Sequence, residues 1–234
     1  MKELLKNELR GWKAFEVFWL AFASLAITLL SIYFGDSLMG IISAVTGVIC
    51  VICTGKGKLS CYLFGLINCV LYAIISYKAT YYGETMLNAL YYVPMQFVGF
   101  YVWVKNMNNE TLEVNKRHMS WKLRIVSLLG MALATVIYGY ILKYLGDAMP
   151  FVDSFTTMSS VVAMIVSVGM FAEQWVIWVA VDVFTVYMWL INYLNGSENI
   201  ATLLMWLVYL VNAVIMLIKW EKEVYKNKNK EKNN

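Results

Sequence analysis

Residues Trp175 to Leu194 read WVIWVAVDVFTVYMWLINYL, twenty residues that carry a single charge, Asp182. At about 1.5 Å of rise per residue, a helix of this length spans about 30 Å, the thickness of the hydrocarbon layer of a membrane. Lipid offers no partner to backbone N–H and C=O groups, so a run of this kind must be helical. On a helix, Trp175, Trp178, Asp182, Thr185 and Trp189 follow a 3,4,3,4 spacing and line one face. The stretch therefore predicts a membrane helix with a carboxylate and large aromatics on one side. Insertion of an Asp near the middle of a span costs about 2.5–3.5 kcal/mol, so Asp182 is expected to face the bundle interior or a wet cavity.

The rest of the chain follows the same pattern. Apolar residues make up 61% of the 234 and charged residues 15%, against about one-quarter charged in a soluble domain. Runs long enough to cross the membrane are Phe15–Phe34, Ser37–Cys53, Leu59–Tyr77, Thr85–Val104, Ile125–Leu145, Ser154–Phe171, Trp175–Leu194 and Ile200–Ile218. An all-α membrane protein of eight transmembrane helices is expected. The first run is too long for a signal h-region and no A-x-A site follows it, so it reads as a span.

Charge tests this division independently. If the loops are numbered alternately as sides one and two, side one holds seventeen of the nineteen Lys and Arg residues. Side two keeps only Lys78 and Lys143, beside Asp36, Glu84, Asp147, Asp153 and Glu198. The positive-inside rule puts side one, with both termini, in the cytoplasm. The net charge of +4 is thus a record of topology, and no basic patch for nucleic acid is expected.

Sliding the chain on itself by 114 positions lays spans two to four over spans six to eight. Val48 meets Val162, Gly55 meets Gly169, and Asn68 meets Asp182. The offset covers an even number of spans, so both units share one orientation. This predicts two parallel three-helix repeats joined by a linking helix, with the solute site between them near mid-membrane, plus one extra N-terminal helix. The expected divisions are 1–36, 37–104, 105–150, 151–219 and a basic tail, 220–234.

Beyond Asp182, polar residues inside spans nominate a site. Asn88, Tyr92 and Gln96 recur at i, i+4, i+8, with Tyr91 beside them and Pro94 between. Pro94 lacks an N–H, which either frees a carbonyl near a cavity or kinks the helix. Asn68 lies three turns into span three. Buried amides also act as glue between helices, Asp182 could cap an interhelical hydrogen bond, and Trp175 could be an interfacial anchor. A flat ligand that is cationic or hydroxylated would suit stacked indoles and a carboxylate. The substrate-binding candidates are Trp175, Trp178, Asp182, Asn68, Asn88, Tyr91, Tyr92 and Gln96.

Other motifs carry less. Cys50 and Cys53 form a CxxC with no further ligands to complete a metal set, and small-residue packing accounts for Cys61 and Cys69 as well. His118 sits in a loop and reads as solvated. Gly55-Lys56-Gly57-Lys58 lacks the spacing of a phosphate loop and reads as a basic turn. Asp182 is expected to be the one buried acid, which leaves little for a proton relay. No catalytic motif, cofactor or metal is expected, and transport would run downhill or on an ion gradient.

Two stretches resemble the PnuC family of bacterial vitamin transporters. One is Trp175-x-x-Trp178-x-x-x-Asp182, similar to that family's W-x-x-W-x-x-x-[N/D] signature. The other runs from Gly65-Leu66-Ile67-Asn68 through Tyr82-Gly83-Glu84 to Asn88-x-x-Tyr91-x-x-Pro94-Met95-Gln96-Phe97. The resemblance covers roughly residues 37–220. It implies a 3+1+3 arrangement like that of SWEET sugar transporters, in the bacterial inner membrane. It also implies facilitated diffusion of nicotinamide riboside, drawn forward by phosphorylation inside the cell. Relatives of that fold carry thiamine or riboflavin, and either nicotinamide riboside or thiamine could use the Trp and Asp groups. The competing readings are an intramembrane enzyme, for which clustered acids or metal ligands are lacking, and a non-transporting sensor subunit. The expected partners are a small-molecule substrate, membrane lipid and, in a homo-oligomer, further copies of the chain.

Overall fold

The computed structural model describes residue 8 and residues 10–107, 113–197 and 199–233. Lys2, Lys6 and Glu198, which enter the charge partition, lie outside these. The chain begins with three helices, α1 (Ala14–Tyr33), α2 (Leu38–Lys56) and α3 (Ser60–Lys78). A short α4 (Tyr82–Met86) runs directly into a π-helical turn, Leu87–Tyr92, and then into α5 (Val93–Lys105). Four long helices complete it: α6 (Trp121–Leu145), α7 (Pro150–Val168), α8 (Gln174–Leu194) and α9 (Ile200–Asn233). Among the described residues there are no strands, only the isolated bridges Met107–Val114 and Arg117–Phe171.

Seven of these helices are long and apolar enough to cross a membrane. The eighth apolar run is divided at Leu87–Tyr92, so no single regular helix within it reaches that length. Proline is the physical cause. Pro94 has no N–H for the carbonyl one turn earlier, and the backbone just before it widens to bonds that reach five residues instead of four.

Local signals start and stop the helices where the sequence changes character. Ser37 Oγ accepts from Gly40 N at 3.1 Å and opens α2. Gly57, at φ +80°, closes α2 in the left-handed conformation, with Lys58 N donating to Cys53 O at 2.9 Å. The cap of α3 is supplied from a distance. The Glu8 carboxylate accepts from Leu59 N at 3.2 Å and Ser60 N at 2.9 Å. The basic tail continues as helix to Asn233.

Packing leaves one face of several helices bare and apolar. Helix α2 packs on α3 and α9, α8 on α7 and α9, and α6 almost wholly on α7. On α6, Val126, Leu129, Leu133 and Ile137 point outward, and on α1, Phe18, Leu25 and Leu29 do the same. A surface this apolar suits lipid as its solvent. The interior is unusually polar for a core: Asn68, Glu84, Asn88, Gln96, Asp153, Asp182 and Asn212 are all buried. All but Asp153 converge between α2, α3, α4, the π turn, α5, α7, α8 and α9.

A candidate solute cavity

Helix α8 supplies the floor of the arrangement. Its buried stripe contains Trp175, Asp182, Thr185 and Trp189, as the 3,4,3,4 spacing predicts, with Trp178 half-buried beside them. Asp182 is 2% exposed, and among the described residues no donor reaches its carboxylate. A buried carboxylate without a hydrogen bond is costly, so this group is poised for a ligand that brings a positive charge or a hydroxyl.

The stripe faces a cavity of about 120 Å³ whose lining includes Asn68, Asn88, Tyr92, Gln96, Trp175, Trp178 and Asp182. Seven of the eight candidates thus meet in one space. Tyr91 is outside the lining; its hydroxyl donates to Val161 O at 3.0 Å on α7. The amides are not all free. Asn68 Nδ2 donates to Ser43 O at 2.8 Å and Ser43 Oγ at 3.2 Å, so it ties α3 to α2 while also facing the cavity. Asn88 Nδ2 donates to Glu84 O at 2.9 Å within its own helix.

Glycines let these polar tips come together. A Cβ at Gly47 would overlap the Tyr209 hydroxyl and lie 2.7 Å from Asn68 Nδ2. A Cβ at Gly65 would lie 2.7 Å from Gln96 Oε1. Both distances are shorter than real Cβ contacts allow.

Several lining residues escaped the sequence reading. Tyr72, Trp206, Tyr209, Asn212, Ser160 and Glu84 all border the cavity. The Tyr72 hydroxyl accepts from Trp189 Nε1 at 2.9 Å and Trp206 Nε1 at 3.1 Å, which locks three aromatics at one end. At the other end Trp175 meets Trp220 edge-on, with centroids 5.7 Å apart. A signal for some of these was present: Tyr72 is one turn from Asn68, and Trp206, Tyr209 and Ala213 recur at helical spacing on the last span.

Asp182 is not the one buried acid. Glu84 is 1% exposed and accepts from Thr156 Oγ1 at 3.1 Å. Asp153, also buried, accepts from Gly83 N at 2.9 Å and Thr157 Oγ1 at 3.2 Å, and Asp147 accepts from Tyr82 N at 3.1 Å. The last two cap the N-terminus of α4, where helix N–H groups favour an anion. Glu84 is left at the cavity edge. No cluster fit to hold a metal ion occurs among the described residues.

The basic turn and the loop histidine are also engaged. Lys56 is 3% exposed, with Nζ 2.9 Å from Glu16 Oε2 and 2.8 Å from Glu113 Oε1. Lys116 joins Glu113, at 3.0 Å, to Glu223. His118 Nδ1 lies 3.1 Å from Glu173, which also pairs with Arg124. Outside the spans, burial pushes the Glu113 carboxyl up, but Lys116 and Lys56 outweigh it and hold the group below its ordinary value.

Comparison with known proteins identifies the family. The profile of the family described as "Nicotinamide mononucleotide transporter" matches residues 37–222. A protein of Neisseria mucosa named nicotinamide riboside transporter PnuC is 38% identical over 92% of this chain and 83% of its own length. A Haemophilus influenzae protein of the same name is 30% identical, over 94% and 96% respectively. The crystal structure of the vitamin B3 transporter PnuC superposes with a TM-score of 0.86 at 36% identity, over 96% of this chain and 98% of that one. These relatives are transporters, not enzymes. On the match of its greater part and on these identities, the chain belongs to the nicotinamide mononucleotide transporter family, which includes the PnuC proteins.

Proposed function

We propose that this protein carries nicotinamide riboside across the bacterial inner membrane by facilitated diffusion. The observation that carries the reading is the charge of the cavity lining. Asp182 and Glu84 border it, aromatic rings surround them, and no Lys, Arg or His is among its described lining residues. A pyridinium ring is flat and cationic, and it would gain from Asp182 and from the indole of Trp178. The ribose hydroxyls would find Asn88, Tyr92, Gln96 and Asn68. A phosphate would find two carboxylates and no counter-charge, so the riboside is preferred over the mononucleotide. The same logic supports metabolic trapping. Once phosphorylated inside the cell, the product is an anion that the cavity rejects, and net uptake continues.

The route requires the membrane plan read from sequence. Tyr82–Lys105 serves as an eighth span despite its π turn, and the two triplets α2–α3–(α4/α5) and α7–α8–α9 form the parallel repeats, with α6 linking them. Side one, with both termini, faces the cytoplasm. The charge partition supports this orientation.

Uptake of radiolabelled nicotinamide riboside into proteoliposomes tests the proposal. Uptake should reach the external concentration without ATP or an ion gradient and should be competed by unlabelled riboside but not by the mononucleotide. Equal competition by the mononucleotide would remove the basis of the argument. Preferential competition by thiamine would move the assignment to that vitamin, whose cationic ring also suits the cavity. Accumulation only under an ion gradient would overturn facilitated diffusion.

A further inference from the structure

A second concavity lies between α1 and α9 at the side-one end of both helices, about one turn along α9 from Asn212 and Ala213 of the solute cavity. It measures about 240 Å³ and is lined by Lys13, Phe15, Glu16, Ile215, Met216 and Lys219. Lys13 is the residue before α1 begins, and Lys219 stands where the apolar part of α9 gives way to the basic tail. The crevice therefore sits at the level where a membrane changes from hydrocarbon to headgroups.

The charges around it do not balance. Glu16 Oε1 takes Lys219 Nζ at 2.8 Å and Glu16 Oε2 takes Lys56 Nζ at 2.9 Å, so both oxygens of the only acid among the described lining residues are already engaged. The other carboxylate on Lys56, Glu113, is shared with Lys116. Lys13 is exposed, and among the described residues its ammonium has no ion-pair partner. Among the described residues the surplus at the mouth is positive. The walls are apolar: Phe15 is 57% exposed, and the outward faces continue away from the lysines through Phe18 and Phe22 on α1 and Val214 and Val211 on α9.

We propose that this crevice is a binding site for an anionic glycerophospholipid of the cytoplasmic leaflet, its phosphodiester between Lys13 and Lys219 and an acyl chain against Phe15, Ile215 and Met216. Positive pockets between membrane helices on the cytoplasmic side attract such headgroups. A zwitterionic lipid would set its own cation beside the lysines. A free phosphate would meet the lysines but leave the apolar walls bare. The site gives the extra N-terminal helix a role, because lipid bound there would hold α1 against α9 through the same Glu16 that pairs with Lys56. The leaflet follows from the orientation proposed above.

Native mass spectrometry of the purified full chain in detergent tests the proposal, with phosphatidylglycerol, phosphatidylcholine of the same acyl chains, and inorganic phosphate as separate probes. Phosphatidylglycerol adducts should persist where phosphatidylcholine adducts do not, and inorganic phosphate at equal concentration should not displace them. Lys13→Gln should weaken phosphatidylglycerol binding about fivefold, the contribution of one lysine at an anionic surface, while leaving riboside binding unchanged. Lys13→Gln/Lys219→Gln should weaken it further. Since Lys219 also pairs with Glu16, the single Lys13 variant carries the test if the double variant misfolds. Equal retention of the two lipids, displacement by inorganic phosphate, or unchanged affinity in Lys13→Gln would each overturn the assignment.

Discussion

Lys56 and Glu16, forty positions apart in the chain, meet at 2.9 Å with their side chains only 3% and 7% exposed. The pair fastens the start of α1 to the end of α2. Lys219 on α9 and Glu113 on the loop between α5 and α6 close around it, so four segments share one ionic hub at the side-one end of the bundle. Taking charges out of water is costly, and the cost is met only while every partner is in place.

Removal of one partner should therefore be far more damaging than its position near a chain turn suggests. Lys56→Met leaves Glu16 and Glu113 facing each other with fewer counter-charges. A loss of about 3 kcal/mol is expected, the scale for breaking a buried pair from one side, and thermal unfolding in detergent measures it. A variant that melts with the parent would show the hub to be dispensable.

The hub also sets an acid limit. The pKa of Glu113 is depressed in the folded protein, so its stabilising contribution is complete above the unfolded value, about 4.3, and is lost as the pH falls through the lower folded value. Glu113→Gln should lower the melting temperature at neutral pH and flatten its decline below about pH 4. Parallel acid limbs for both proteins would place the sensitivity in other carboxylates.

Asp182 should separate stability from function. Among the described residues no donor reaches its buried carboxyl group, so Asp182→Asn removes a desolvated acid and should melt at a temperature equal to or above the parent's. Riboside affinity should fall about 10- to 100-fold, the range for losing a charged hydrogen-bond partner. Trp178→Ala should weaken binding by about tenfold through the lost ring face. Isothermal titration with nicotinamide riboside reads both. Unchanged affinity in the two variants would detach the cavity from the solute.

A methyl group should be enough to disturb the cavity from its rear wall. Gly47→Ala drives a Cβ into the Tyr209 hydroxyl and the Asn68 amide, both of which border the cavity, and overpacking of this kind costs about 1–3 kcal/mol. Gly55→Ala is the matched control, since the atoms its Cβ meets belong to the flexible Met216 side chain. Riboside affinity should drop in the first variant and hold in the second. Equal effects would mean that the polar tips move aside freely.

What could be read from the chain itself was whatever a helix encodes along its own axis. Length and hydropathy mark the spans, because a bilayer accepts only satisfied backbone, and the 3,4,3,4 step places Asp182 and the tryptophans of α8 on one side. The step from Asn88 to Tyr92 to Gln96 was legible too, although for a reason the sequence conceals. Four residues overshoot one turn of an α-helix and fall short of one turn of a π-helix, so the two errors offset each other across the π segment.

Only the tertiary structure decided what each face meets. Glu84 and Asp153 read as loop acids because each stands just before an apolar run, yet α7 covers them and supplies Thr156 and Thr157. Lys56 read only as part of a basic turn because its two carboxylate partners lie on distant segments. Tyr91 shares a motif with Asn88 but turns to Val161. Periodicity reports the direction of a side chain from its own helix axis; burial, pairing and a shared cavity depend on neighbouring helices, which no local pattern encodes.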